Sequence, residues 1–178
     1  VRLQATQVLA RQARYREAVA VLKQAGDQAD PVLLRERIAM AYQLGDRAEQ
    51  EAAIRAVLKA SPDEAELLDA LAGLRLAAGA EAEAEDLWQR ALRVAPDDAR
   101  IVARVAARRL EDGQLDAARG LIARLEALGP EDGDGWQVLA TYWAERDPGR
   151  AIAALTELHR RGDGDAGSWL RLAELAIA

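Results

Sequence analysis

Apolar residues recur along this chain in sets of three, spaced i, i+3, i+4. Leu68, Leu71 and Ala72 form one set, and Val102, Val105 and Ala106 the next. Trp136, Leu139 and Ala140 follow, then Trp169, Leu172 and Ala173. That spacing puts all three side chains on one helical stripe, whereas a strand would alternate. Between these sets lies a second kind of helix, in which a small residue precedes a large one by four positions: Ala84 before Trp88, Ala118 before Ile122. The small residue lets two helix backbones approach, and the large one fills the space between helix pairs. Gly79 and Gly113 separate the two kinds of helix, as glycine suits the left-handed position that ends a helix. Pro62, Pro96 and Pro130 close each unit at steps of 34 residues, and each is followed by acids. Proline then carboxylate predicts a helix start, with the proline on the first turn and the acids facing the positive end of the helix dipole. One period therefore reads helix A, tight turn, helix B, short turn.

The period extends in both directions with small deletions. Residues 31–61 carry Ile38-Ala39-Met40-Ala41-Tyr42 and then Gly45-Asp46, one residue short in the first helix. Residues 130–165 carry Trp136, Leu139, Ala140 and Trp143, then Ala151 and Leu155, with Asp147-Pro148 where the turn glycine would stand. Tyr15, Ala18 and Leu22 predict a second helix preceded by a degenerate first one. The arrangement resembles the tetratricopeptide repeat, whose period reads W-x2-L-G-x2-Y, then A-x3-F, then P. The resemblance covers nearly the whole chain and is strongest from Pro62 to Pro130. Arg75 and Arg109 stand where the family prefers Tyr, and Gln50 falls near a small-residue slot; each weakens its repeat locally. The resemblance implies an all-α, right-handed α-α superhelix of about four complete hairpins plus a final unpaired helix. The expected organisation is a single array over 1–178: a degenerate repeat at 1–30, repeats at 31–61, 62–95, 96–129 and 130–165, and a first helix at 166–178.

Composition agrees and narrows the function. Half of the residues are apolar, mostly Ala and Leu, with no Phe. These are strong helix formers, so almost no strand is expected. Cys is absent, which removes disulfide and thiolate chemistry without selecting a compartment. Lys23 and Lys59 are the only lysines, an arginine bias suggesting a bacterial genome. A net charge of -6 argues against a general nucleic-acid binder, and against RNA-binding helical repeats of the related 35-residue type. No apolar run reaches 18 residues, so no membrane insertion is expected. The chain opens on Val1, so it reads as a segment of a longer protein, with apolar ends disposed to self-associate.

Candidate chemistry is sparse. The four Trp residues fall on large-residue slots and are expected to be core. His159 stands alone, without Cys or a second His, and carries no metal or catalytic role. Ser61 and Ser168 are read as helix-start residues. Asp132-Gly133-Asp134-Gly135 and Asp163-Gly164-Asp165 open like calcium loops but lack the spacing and closing Glu, so they are read as turns. No nucleophile–base pair can be assembled; the segment is not expected to be an enzyme or to hold a cofactor or metal.

Charge placement is the informative feature. Residues 62–98 hold ten acids against three arginines, and residues 99–128 hold six arginines against four acids. Arg100, Arg104 and Arg108 step by four along one helix. By analogy with the family, whose first helices line a binding groove, Glu66, Asp69, Arg100, Arg104, Arg108, Gln137 and Thr141 are the candidate partner-binding residues, with Gln137 and Thr141 taken as the next helix's equivalents. The arginine row would bind acidic side chains of a partner by charge-assisted hydrogen bonds. Against this, Arg100 and Arg104 could be spent on Glu66 and Asp69, and Arg108 on Asp112 at i+4, pairs worth roughly 0–1 kcal/mol when exposed. The Lys/Asn carboxylate clamp of chaperone-binding members is absent: the chain has no Asn. The expected function is a protein–protein interaction scaffold holding a protein or peptide in the groove or on the curved face. The alternatives are a periplasmic scaffold of a bacterial exopolysaccharide secretion machinery, or the substrate-recruiting arm of an enzyme whose catalytic domain lies elsewhere. Periplasm and cytoplasm both remain open.

Overall fold

The structure, a computed structural model, describes residues 2–26 and 30–177. The expected repeat boundary near residue 30 and the end of the last helix at Ala178 abut residues outside that description. Among the described residues every regular element is a helix, in the order α1 (Arg2–Arg11), α2 (Tyr15–Lys23), α3 (Pro31–Leu44), α4 (Arg47–Ala60), α5 (Ala65–Ala77), α6 (Glu81–Val94), α7 (Ala99–Glu111), α8 (Leu115–Leu128), α9 (Gly133–Trp143), α10 (Pro148–Arg160) and α11 (Ala166–Ile177). The all-α class expected from the repeat is the one observed. The chain falls into two compact units, Val1–Val94 and Ala95–Ala178.

The first unit is three hairpins, α1/α2, α3/α4 and α5/α6, with α2 packed on α3 and α4 on α5. Its core is the predicted stripe: Leu68, Leu71 and Ala72 of α5 are buried, as are Ala84, Trp88 and Ala91 of α6. Each buried Leu or Ile contributes about 1.5–3 kcal/mol, and the fully buried alanines allow the close helix approach. In α4 the core residues are Ala53, Ile54 and Val57, while Gln50 at the small-residue slot is only half-buried. Arg75, in the Tyr slot, reaches Glu83 of α6 at 2.7 Å and Glu51 of α4 at 3.3 Å. The guanidinium thus links the two second helices that a tyrosine ring would have packed between.

The second unit is α7/α8, α9/α10 and α11, with α9 packed on α7 and α11 on α10. Val102, Val105, Ala106, Ala118, Ile122, Leu125, Leu139, Ala151, Leu155 and Leu158 are buried. Gly113 ends the first hairpin turn at a φ of 70°, as Gly79 does in the first unit at 78°.

Three local expectations are corrected. Pro62, Pro96 and Pro130 are not on the first helical turn: the helices begin three residues later, and the acids are the caps. Asp98 accepts from the Arg100 and Ile101 amides, and Asp132 from that of Gly135. The prolines at the first helical position are Pro31 and Pro148, behind capping Asp30 and Asp147. Ser61 follows the end of α4, and Ser168 is the third residue of α11, where it exchanges hydrogen bonds with capping Asp165 (2.8 and 2.9 Å). This reciprocal pair satisfies two amides at once. Finally, Trp88 is buried and Trp136 and Trp143 are half-buried, but Trp169 is 57% exposed, because α11 is covered on one side by α10 alone.

Candidate functional site

The seven candidate residues are distributed over three first helices. Glu66 and Asp69 lie on α5 in the first unit. Glu66 is exposed, whereas Asp69 is half-buried and accepts a hydrogen bond from the Trp88 indole N–H at 3.0 Å. That bond satisfies a buried Trp donor, so Asp69 has a structural task of its own.

On α7, Arg100 and Arg104 are exposed one turn apart. The Arg100 guanidinium lies 3.3 Å from Asp98, the cap of its own helix. Arg108 is folded in, 2.9 Å from Asp112 and 3.7 Å from Glu111, the i+4 pairing foreseen as the alternative to a binding role. On α9, Gln137 and Thr141 are exposed, and the Thr141 hydroxyl donates to the Gln137 carbonyl at 2.9 Å. The α7 arginines and the α9 pair are not equivalent positions. A 34-residue step carries Arg100, Arg104 and Arg108 onto Asp134, Val138 and Tyr142, and the last two are buried. Gln137 and Thr141 correspond instead to Ala103 and Ala107. The structure therefore brings Arg100 and Arg104 onto one helix and Gln137 and Thr141 onto the helix packed beside it, as two separate rows.

Gln137 also lines a cavity of about 640 Å³ bounded by the start of α9, the α10–α11 turn and α11. Asp132, Asp134, Asp163, Asp165, Ser168 and Arg171 contribute its polar lining. Asp132 and Asp165 are occupied as caps. Asp134 and Asp163 are exposed, and their carboxylates have no hydrogen-bond or ion-pair partner among the described residues. Sequence reading took these acids as turn residues, which holds for Asp132, Asp163 and Asp165, whereas Asp134 is the second residue of α9; that the start of α9 and the α10–α11 turn meet over one cavity follows only from packing. A second cavity of about 460 Å³ lies over Trp136, Leu139 and Trp143, with Ala153 and Ala154 of α10 on its far wall. Arg150 stacks over the Trp143 ring at 3.7 Å, and the Trp143 indole N–H donates to Glu126 at 2.8 Å.

Two further groups escaped the sequence reading. Arg37 and Glu49 are both buried and paired, and Lys23 reaches the same carboxylate at 2.7 Å. Burial raises the Glu49 pKa, but hydrogen bonds from Lys23 and Arg37 outweigh it and hold the carboxyl below its ordinary range. Second, His159 stacks on Trp169 with centroids 3.7 Å apart, and its ring lies so close to Gly164 that a side chain there would collide with it. At the end of α10, hydrogen bonds from Arg160 and then Arg161 pull the Glu157 carboxyl down to about 2. No helix among the described residues is long and apolar enough to cross a membrane.

No family model matches the sequence, and a search of curated proteins finds no match. Solved structures do match. The MamA RS-1 ArsTM double mutant is 23% identical, with a TM-score of 0.70 over 92% of this chain and 96% of that one. YrrB, a tetratricopeptide-repeat protein with an unusual peptide-binding site, is 15% identical, with a TM-score of 0.68 over 97% and 90%. TTC0263, a thermophilic tetratricopeptide-repeat protein of Thermus thermophilus, is 18% identical, with a TM-score of 0.63 over 99% and 98%. Hairpin order, the buried small-and-large slots and these likenesses agree: by fold, the chain is a tetratricopeptide-type α-α solenoid.

Proposed function

We infer that this chain is a non-enzymatic scaffold that holds a segment of a partner protein against the exposed faces of α7 and α9, with acidic side chains of the partner meeting Arg100 and Arg104. The observation that carries the reading is the pair of exposed guanidinium groups one turn apart, on a helix packed beside another that exposes Gln137 and Thr141. Each guanidinium offers five N–H donors in a planar fork that matches a carboxylate in a two-bond contact. Gln137 offers both a donor and an acceptor for the partner's backbone. The apolar stripes of these helices are consumed in the core, so recognition falls to polar groups that set orientation rather than to a greasy groove. The peptide-binding site named for YrrB lends the reading support by analogy of fold.

The test is fluorescence anisotropy with a library of extended peptides carrying paired acidic residues. Arg100→Glu with Arg104→Glu is expected to weaken the best peptide by at least about tenfold and to gain binding to its Lys-substituted counterpart. Gln137→Ala with Thr141→Ala is expected to weaken both peptides less. Equal binding of the acidic peptide by the parent and the double-Glu chain, at matched helical circular dichroism, would refute the arginine role.

A further inference from the structure

The cavity over Trp136, Leu139 and Trp143 has a counterpart in the first unit. There a cavity of about 340 Å³ lies over Leu71 of α5, with Glu83, Leu87 and Arg90 of α6 along one wall. Two periods later, allowing for the residue missing at the Asp147-Pro148 turn, these four positions are Leu139, Arg150, Ala154 and Glu157. All four line the second unit's larger cavity of about 460 Å³. The place is thus a regular crevice of the repeat whose lining has been exchanged. Leu87 of α6 and Leu121 of α8 stand where α10 has Ala154, so an isobutyl group gives way to a methyl. Ala153 replaces Asp86 beside it. Trp143 replaces Arg75, whose bonds to Glu83 and Glu51 tie α6 and α4 together in the first unit.

The carboxylates at the second unit's cavity are matched within the chain. Glu126 accepts hydrogen bonds from the Trp143 indole and from Arg150, and Glu157 accepts from Arg160 and Arg161. A charged ligand would have to compete with these pairs. One donor on the wall is left over: the Trp136 indole N–H is buried and has no acceptor among the described residues. A buried indole N–H usually finds a partner. The cavity therefore offers aromatic and aliphatic walls, room where a leucine stands in other hairpins, and one hydrogen-bond donor.

We propose that this cavity binds a small uncharged ligand carrying a branched aliphatic group beside a carbonyl. The aliphatic group packs on Ala154 in the place that Leu87 and Leu121 fill from within their own hairpins, and the carbonyl accepts from the Trp136 indole. A concave, mostly apolar site of this size with a few polar groups is the usual form of a small-ligand pocket. It includes neither Arg100 and Arg104 nor Gln137 and Thr141, so it stands independently of the partner-binding reading.

The experiment is a nuclear magnetic resonance titration of the 15N-labelled chain, read at its four indole N–H signals and assigned with single Trp→Phe variants. The probes are the N-acetyl methylamides of leucine, alanine and arginine. The leucine compound is expected to move the Trp136 and Trp143 signals saturably, the Trp136 proton downfield, and to leave those of Trp88 and Trp169 in place. The alanine compound is expected to bind at least about tenfold more weakly, since even one methylene is worth that much in an apolar pocket. The arginine compound is expected to bind no better than alanine. Ala154→Leu, which fills the crevice with the residue of the other hairpins, is expected to abolish the shifts at unchanged helical circular dichroism. If that chain loses helix, Ala154→Val is read in its place. No saturable movement of Trp136 and Trp143 with the leucine compound would overturn the proposal. Equal affinity for the alanine compound, tighter binding of the arginine compound, or undiminished binding by the filled variant would do the same. None of these substitutions touches Arg100 or Arg104, so failure here leaves the partner-binding reading standing.

Discussion

Ala13 occupies the position in the α1–α2 turn that Gly79 and Gly113 occupy in later turns, and it holds a left-handed φ of 55°. A Cβ in that region costs roughly 1–2 kcal/mol, which glycine avoids at some cost in unfolded-chain entropy. Ala13→Gly is therefore expected to stabilise the chain by about 0.5–1 kcal/mol, and Gly113→Ala to destabilise it by about 1 kcal/mol or more. Urea denaturation midpoints at unchanged slope measure both; a destabilising Ala13→Gly would show that the turn is held by something other than backbone sterics. At Glu157 the sign of the pH effect follows from its depressed carboxyl. The ionised form is favoured by the fold, so its contribution is full above the ordinary value of 4.5 and is lost as pH falls toward about 2. The stability difference between the parent and Glu157→Gln is expected to shrink across that window. A difference that stays constant between the two pH values would mean the Arg160 and Arg161 contacts do not favour the charged form.

At the scale of the helices, the sequence is legible wherever small and large apolar residues alternate in register. Leu68-Leu71-Ala72 and Val102-Val105-Ala106 are buried as their spacing requires, and Gly79 and Gly113 mark the turns. The helix starts are displaced from the prolines because Asp98 and Asp132 cap by side chain, and a cap lies outside the helix it begins. Burial of Arg37 and Glu49 was not legible, since a charged residue carries no sign of its partner when the two lie on different helices and a third helix supplies Lys23. Removing one partner of a buried pair leaves the other charge stranded, which costs about 3–5 kcal/mol, while replacing both by apolar groups is close to neutral. Arg37→Ala is thus expected to cost about 3 kcal/mol, and Arg37→Met with Glu49→Leu to recover most of it. Chemical denaturation of both variants decides: equal losses would show that the ion pair contributes stability that apolar packing does not replace. Of the candidate site, residue types and exposure were legible on α7 and α9, but their register was not. The mismatch is one of spacing: a 34-residue step from Arg100 and Arg104 reaches Asp134 and Val138, not Gln137 and Thr141.

The molecule as a whole consists of two units whose apolar stripes are spent on their own cores, leaving exposed polar rows on first helices and one apolar helix, α11. This distribution suits a scaffold: the fold contributes rigid positioning, and recognition rests on a few outward side chains. Because exposed guanidinium contacts are screened by salt, partner binding at Arg100 and Arg104 is expected to weaken as ionic strength rises. The absence of cysteine makes the most direct test of the scaffold claim simple, because a single introduced Cys is a unique attachment point. Thr141 on α9 and Thr156 on α10 are both exposed threonines, one on a first helix and one on a second. Thr141→Cys and Thr156→Cys chains, each carrying a thiol-linked photo-crosslinker, would be exposed to the source extract and illuminated. Covalent capture of a defined partner from position 141, absent from position 156 and lost with Arg100→Glu and Arg104→Glu, is the predicted result. Capture of that partner from position 156 and not from 141 would contradict it and move recognition to the second helices.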